Sequence, residues 1–171
     1  MTTYHLYLII ISDRISRRQK SDRTRDLVTG WCKENGYKFI FEGVVADEDH
    51  EIRAILRRAL ERENAHLIIT SGGTGFSPRD ITPESTRLLL QKLTPGIDEL
   101  LRQSGINETP YAVLSRGVSG ITNNKLVINL PGNPQAVISN LDVLKPILPH
   151  ALRSLNEQIE DTEHQFSMSE K

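Results

Sequence analysis

Thr70-Ser71-Gly72-Gly73-Thr74-Gly75-Phe76-Ser77-Pro78-Arg79-Asp80-Ile81-Thr82-Pro83-Glu84 is the stretch whose reading decides the fold. The apolar run Leu67-Ile68-Ile69 before it reads as a buried strand. The end of the stretch reads as a helix start, with Thr82 as N-cap and Pro83 at the first helical position. The glycines between let the backbone approach a ligand closely and turn its N–H groups outward. Thr hydroxyls and Arg79 can bind phosphate, and Asp80 can hold a divalent cation. A loop of this composition between strand and helix suits a phosphate-bearing ligand and its metal.

Working outward, strands are expected at residues 6–11, 37–45, 67–70, 112–119 and 125–130. Helices are expected at 22–35, with Gly36 as its stop, from the acidic turn Ala46-Asp47-Glu48-Asp49 to about 62, at 83–93 and at 97–103. Asn133 and Pro134 open a last helix that Pro146 and Pro149 interrupt. Strand and helix alternate throughout, which implies an α/β fold with a mostly parallel sheet and helices on both faces. Residues 1–156 form one domain, and the polar, aromatic-poor stretch 157–171 is expected to be a frayed tail. In such folds ligands bind beyond the carboxyl ends of the strands. Four segments leave those ends: Ser12-Asp13-Arg14, Ala46-Asp47-Glu48, the glycine loop and Pro131-Gly132-Asn133-Pro134. They are expected to share one rim and hence one site.

The totals exclude several classes. The chain has 171 residues, 37% hydrophobic and 25% charged, with a net charge of -1, so nothing drives it as a whole toward nucleic acid or a membrane surface. No apolar run approaches the roughly 20 residues that span a bilayer. The basic cluster Arg14, Arg17, Arg18, Lys20, Arg23 and Arg25 lacks interleaved aromatics, so it reads as a solvated or phosphate-facing loop. Cys32 is the single cysteine, beside Trp31 on an apolar helix face, and reads as core. With no recognisable secretion signal and no possible intramolecular disulfide, the cytoplasm is the expected compartment.

Taken together, Ile11-Ser12-Asp13-Arg14, Asp47-Glu48, the glycine loop through Glu84, Leu114-Ser115-Arg116 and Leu130-Pro131-Gly132-Asn133-Pro134-Gln135-Ala136-Val137 resemble the molybdopterin-binding family, in order along residues 6–155. The resemblance implies a three-layer α/β/α domain, a homotrimer, and transfer of AMP from Mg-ATP to the terminal phosphate of molybdopterin with release of pyrophosphate. It implies a downstream molybdenum insertase as partner. Asp47 and Asp80 fall at the acidic pair that serves catalysis, Mg²⁺ and nucleotide positioning. Gly72, Gly73, Thr74 and Gly75 fall at the phosphate loop, with Arg79 beside it. Ser115 and Arg116 fall at the pterin, Ser12 and Asp13 at the rim of the first strand, and Gly132, Asn133 and Pro134 at the nucleotide pocket.

The chain departs from the family in one place. Two glycines usual after the first motif are missing from Ser16-Arg17-Arg18-Gln19-Lys20-Ser21-Asp22-Arg23-Thr24-Arg25. Two functions follow from this: an adenylyltransferase, or a relative that holds molybdopterin or nucleotide without transferring AMP.

Overall fold

In a computed structural model, which describes residues 3–19 and 21–156, the apolar runs form a six-stranded sheet in the order β2-β1-β3-β6-β5-β4. The strands are β1 (His5–Ile11), β2 (Lys38–Val45), β3 (Leu67–Ser71), β4 (Lys92–Leu93), β5 (Ser119–Thr122) and β6 (Lys125–Leu130). β1 pairs in parallel with β2 and β3, and β3 in parallel with β6, while β5 and β4 add an antiparallel edge. The hairpin between β5 and β6 turns at Asn123 and Asn124, both in the left-handed region that such tight turns require.

The alternation of β1 explains its place at the centre. Leu6, Leu8 and Ile10 face one layer, and Tyr7, Ile9 and Ile11 face the other. The first layer holds α2 (Thr24–Asn35) through Val28, Trp31 and Cys32, with α6 (Pro134–Leu144) and α7 (Leu148–Asn156). The second holds α3 (Asp49–Leu60) through Ile52, Ile55, Leu56, Ala59 and Leu60. The fold is therefore the expected three-layer α/β/α domain. Among the described residues no helix is long and apolar enough to cross a membrane. The expected tail, 157–171, lies outside the described residues.

Several elements differ from the sequence reading. The helix expected at 83–93 ends early: α4 spans Thr82–Arg87. The chain then turns to form β4, because Gln91 and Thr94 donate backbone bonds to Ile121 and Ser119. Pairing at the sheet edge outweighs the helical pattern there. Ile81, not Thr82, occupies the cap of α4, and Thr82 is a fully buried first-turn residue. No strand begins at 112: Pro110–Leu114 is a 3-10 helix capped by the Thr109 hydroxyl, and its residues cover a cavity instead of joining the sheet. α5 runs over Pro95–Ile106, longer than expected at both ends. After β1 the chain forms a short helix, α1 (Asp13–Ser16).

Candidate functional site

The strand order places the site. From β1 the chain crosses to β2 on one side and later reaches β3 on the other, so the loops after β1 and β3 diverge. A crevice opens at such a switch point, at the carboxyl ends of the strands. Here it is a cavity of about 570 Å³, lined by Ser12, Asp13, Asp47, Gly72, Gly73, Asp80, Gly132, Asn133 and Pro134 among others. A second cavity of about 320 Å³ lies on the other side of the glycine loop, against Thr74, Gly75 and Ser115. Asn133 lines both.

The glycine loop is held close by its neighbours. Gly72 donates to Leu130 O (3.1 Å), and Thr82 donates to Gly73 O (3.1 Å). Gly73 has φ +64, and a side chain there would overlap the buried Thr82 hydroxyl and sit 2.9 Å from Asp47 Oδ1. Only glycine fits that position. The amides of Gly73, Thr74 and Gly75 have no acceptor among the described residues, so they remain available for an anion. The Thr82 hydroxyl is also buried without a partner.

The acidic wall is built by a reciprocal clasp. Asp13 donates its N–H to Asp47 Oδ2 (2.9 Å), and Asp47 donates its N–H to Asp13 Oδ1 (3.2 Å). The two carboxyls then differ. Hydrogen bonding from Arg79 holds Asp13 below the ordinary carboxylate range. Burial pushes Asp47 upward, aided by the charges of Asp13 and Asp80. Asp47 with Asp80 suits a hard divalent ion whose remaining ligands are phosphate oxygens and waters. No three His, Cys, Asp or Glu side chains among the described residues form a complete protein-only site.

Two basic residues are placed otherwise than expected. Arg79 lines neither cavity; its Nε and one terminal nitrogen fork onto Asp13 (3.1 and 3.0 Å), and that nitrogen also reaches Glu48 (2.9 Å). Those two carboxylates engage Nε and Nη2 of the guanidinium, and its Nη1 has no acceptor among the described residues. Arg116 also lines neither cavity. Its Nε donates to Gly75 O (2.8 Å), its terminal nitrogens to Asp80 O and the Glu84 carboxylate, and its backbone N–H to Thr74 O (2.9 Å). Arg116 therefore ties the two ends of the glycine loop together. The other expected site residues line one cavity or both. Ser12 caps α1 through Ile15 N (3.4 Å), and Asn133 caps α6 through Gln135 N (2.9 Å) and Ala136 N (3.3 Å). Ser115 Oγ accepts from Gly117 N (3.4 Å).

Sequence reasoning missed Asp98, Arg102, Thr109, Asn129 and Asn140, all in the wall of the second cavity. The spacing of Asp98 and Arg102, one helical turn apart, was the available signal for two of them. Asn129 is buried in β6, where its amide donates to the Thr70 and Thr86 hydroxyls (2.9 and 3.0 Å).

An acidic cavity and an apolar-walled one, separated by a loop with free amides, define an α/β domain suited to a phosphate-bearing ligand. Comparison with known proteins makes this specific. Residues 7–150 match the family described as "Probable molybdopterin binding domain". The chain is 36% identical over 155 residues to the molybdopterin adenylyltransferase of Helicobacter pylori strain J99, spanning 89% of this chain and 88% of that enzyme. The structure of the molybdopterin biosynthesis enzyme MoaB from Thermus thermophilus superposes with a TM-score of 0.84 at 38% identity, covering 90% of this chain and 96% of that one. The Mog protein of Mycobacterium ulcerans does so with a TM-score of 0.83 at 37% identity, covering 90% and 99%. The chain belongs to the molybdopterin-binding domain family.

Proposed function

We propose that this chain is a molybdopterin adenylyltransferase acting in molybdenum cofactor biosynthesis. The observation that carries the reading is the pair of cavities meeting at one glycine loop, which gives two ligands a shared phosphate position. A terminal phosphate oxygen of molybdopterin attacks the α-phosphorus of ATP. The new O–P bond joins molybdopterin to AMP, the bond from the α-phosphorus to the bridging oxygen breaks, and pyrophosphate leaves with those electrons. Both reactants are anions, so catalysis is alignment and charge neutralisation.

The acidic cavity takes the nucleotide and the apolar-walled cavity takes the pterin. The amides of Gly73, Thr74 and Gly75 face the phosphates between them. Asp47 and Asp80 would hold Mg²⁺, which supplies charge neutralisation at the phosphates. Arg116 keeps the loop in place, while Arg79 keeps Asp13 ionised and aligned with Asp47. In this reading the chain works in the cytoplasm as a homotrimer and passes its product to a molybdenum insertase.

Pyrophosphate release from Mg-ATP, measured with and without molybdopterin, tests the proposal. Release is expected to require molybdopterin and to collapse in Asp80→Asn. Molybdopterin binding without release would assign the chain to ligand-holding relatives instead, and the arginine loop after α1 is the feature that favours that second reading.

A further inference from the structure

The second cavity carries a charged pair that phosphate transfer does not use. Asp98 and Arg102 lie one turn apart on α5, and both line it. Glu108, an exposed carboxylate, also reaches the cavity wall, and most of the remaining surface is apolar, from Leu101, Leu114, Pro131 and Ala136. Asp98 is half-buried, and burial pushes its carboxyl upward against the opposing influence of Ser119 and Arg102. Arg102 donates through Nη1 to Ser115 O (3.2 Å) and Gly117 O (3.3 Å). Its remaining nitrogens have no hydrogen-bond acceptor among the described residues, and no ion pair closes between Arg102 and Asp98. A carboxylate and a partly unused guanidinium thus stand side by side in an apolar-walled cavity.

This pair is the complement of one heteroaromatic edge. A carboxylate accepts two parallel N–H bonds, and a guanidinium donates to a carbonyl. The pyrimidine edge of a pterin presents the 2-amino group, N3–H and the 4-oxo group in that order: two donors, then an acceptor. We propose that Asp98 and Arg102 read this edge, Asp98 accepting from the 2-amino group and N3–H and Arg102 donating to the 4-oxo oxygen, which makes Asp98 the specificity-determining residue for the pterin. The inference rests on the reading of this cavity as the pterin side of an adenylyltransferase. It adds a selection that the phosphate loop cannot make, because phosphate is common to many ligands and the amino-oxo edge is not.

The test compares two fluorescent probes, 6-hydroxymethylpterin and 6-hydroxymethyllumazine, titrated into the full chain. Lumazine replaces the 2-amino donor by an oxygen, which would face the Asp98 carboxylate. A site built around a donor rejects the analogue that lacks it. The unaltered chain is expected to prefer the pterin by about 10- to 100-fold, the size of one charge-assisted hydrogen bond. In Asp98→Asn, whose amide offers a donor to the lumazine oxygen, that preference is expected to vanish. The ratio is internal to each variant, so partial unfolding lowers both affinities together and leaves it unchanged. Asp98→Ser supplies a second reading in the same space. A preference retained in both variants would overturn the inference and leave Asp98 a support for Ser119, with the pterin cavity itself intact. If the unaltered chain binds neither probe, the pterin reading of the cavity fails along with it.

Discussion

Gly73→Ala is the perturbation with the most direct structural consequence. At φ +64 the new methyl group sits in the left-handed region, which costs about 1–2 kcal/mol for a non-glycine residue. The methyl also overlaps the Thr82 hydroxyl, on a residue with no exposed surface. Overpacking of a tight site costs a further 1–3 kcal/mol or so. The expected loss of stability is therefore about 2–5 kcal/mol, read by urea denaturation. The catalytic effect has a separate origin. Asp47 Oδ1 would lie 2.9 Å from the methyl where 3.4 Å is the ordinary limit of contact, so the carboxylate must give way. That overlap is half of the roughly 1 Å misplacement that can cost about 100-fold in rate, so a loss of about 10-fold is expected. Pyrophosphate release should fall by that order even where the variant is fully folded. Thr82→Ala separates the parts. The Thr82 hydroxyl has no hydrogen-bond partner, so the single variant should lose only the packing of the buried γ-methyl, about 1 kcal/mol. Combined with Gly73→Ala it should relieve the overlap and return about 1–3 kcal/mol, leaving the backbone strain. Gly73→Ala within about 0.5 kcal/mol of the unaltered chain, or a double-mutant cycle with no coupling, would refute this account of the loop.

Two further outcomes follow from strain and titration elsewhere. Arg18 has φ +57 and closes α1 as a Schellman motif, with Gln19 N bonded to Arg14 O (2.8 Å) and Arg18 N to Ile15 O (2.9 Å). Arg18→Gly should therefore raise stability by about 1 kcal/mol, read as a higher urea midpoint at constant slope. His66 Nδ1 accepts the His5 N–H (3.1 Å), so that nitrogen is unprotonated in the fold. Burial, then the neighbouring His5 and Lys125, holds His66 below its ordinary value of 6.5. The folded chain thus binds fewer protons than the unfolded chain in the window just below pH 6.5, and stability is lost as pH falls through it. Thermal midpoints between pH 7.5 and 5, as a rough span, should show that decline, and His66→Gln should flatten it.

The central layers were legible without coordinates. The run in β1 is apolar at every position because both faces are covered, and the helical spacing of Ile52, Ile55, Leu56 and Ala59 marks one buried stripe. The caps at Gly36 and Asn133 were equally plain, since each is a local backbone requirement. The edge of the sheet was not, because pairing of residues 92–93 with β5 depends on a partner about thirty positions away and overrode a good local helical pattern.

The same division holds in the site. Residue types alone singled out the glycine loop and Asp80, and the family resemblance added Asp47; folding brings all three to the rim of one cavity. Which charges remain free is a property of three-dimensional distance. In sequence Arg79 looks like a phosphate ligand and Arg116 falls at the pterin, yet folding puts carboxylates and carbonyls within reach of both: Arg79 gives two of its nitrogens to Asp13 and Glu48, and Arg116 gives all three to the loop and its neighbours. Asp98 and Arg102 look like ordinary helix-surface charges, and only the packing of α5 beside the 3-10 segment turns them toward a cavity. Local chemistry and periodicity thus determined the fold class and marked the glycine loop. The tertiary structure decided which side chains meet a ligand, because Coulomb attraction and hydrogen bonding act over a few ångströms between residues far apart in the chain.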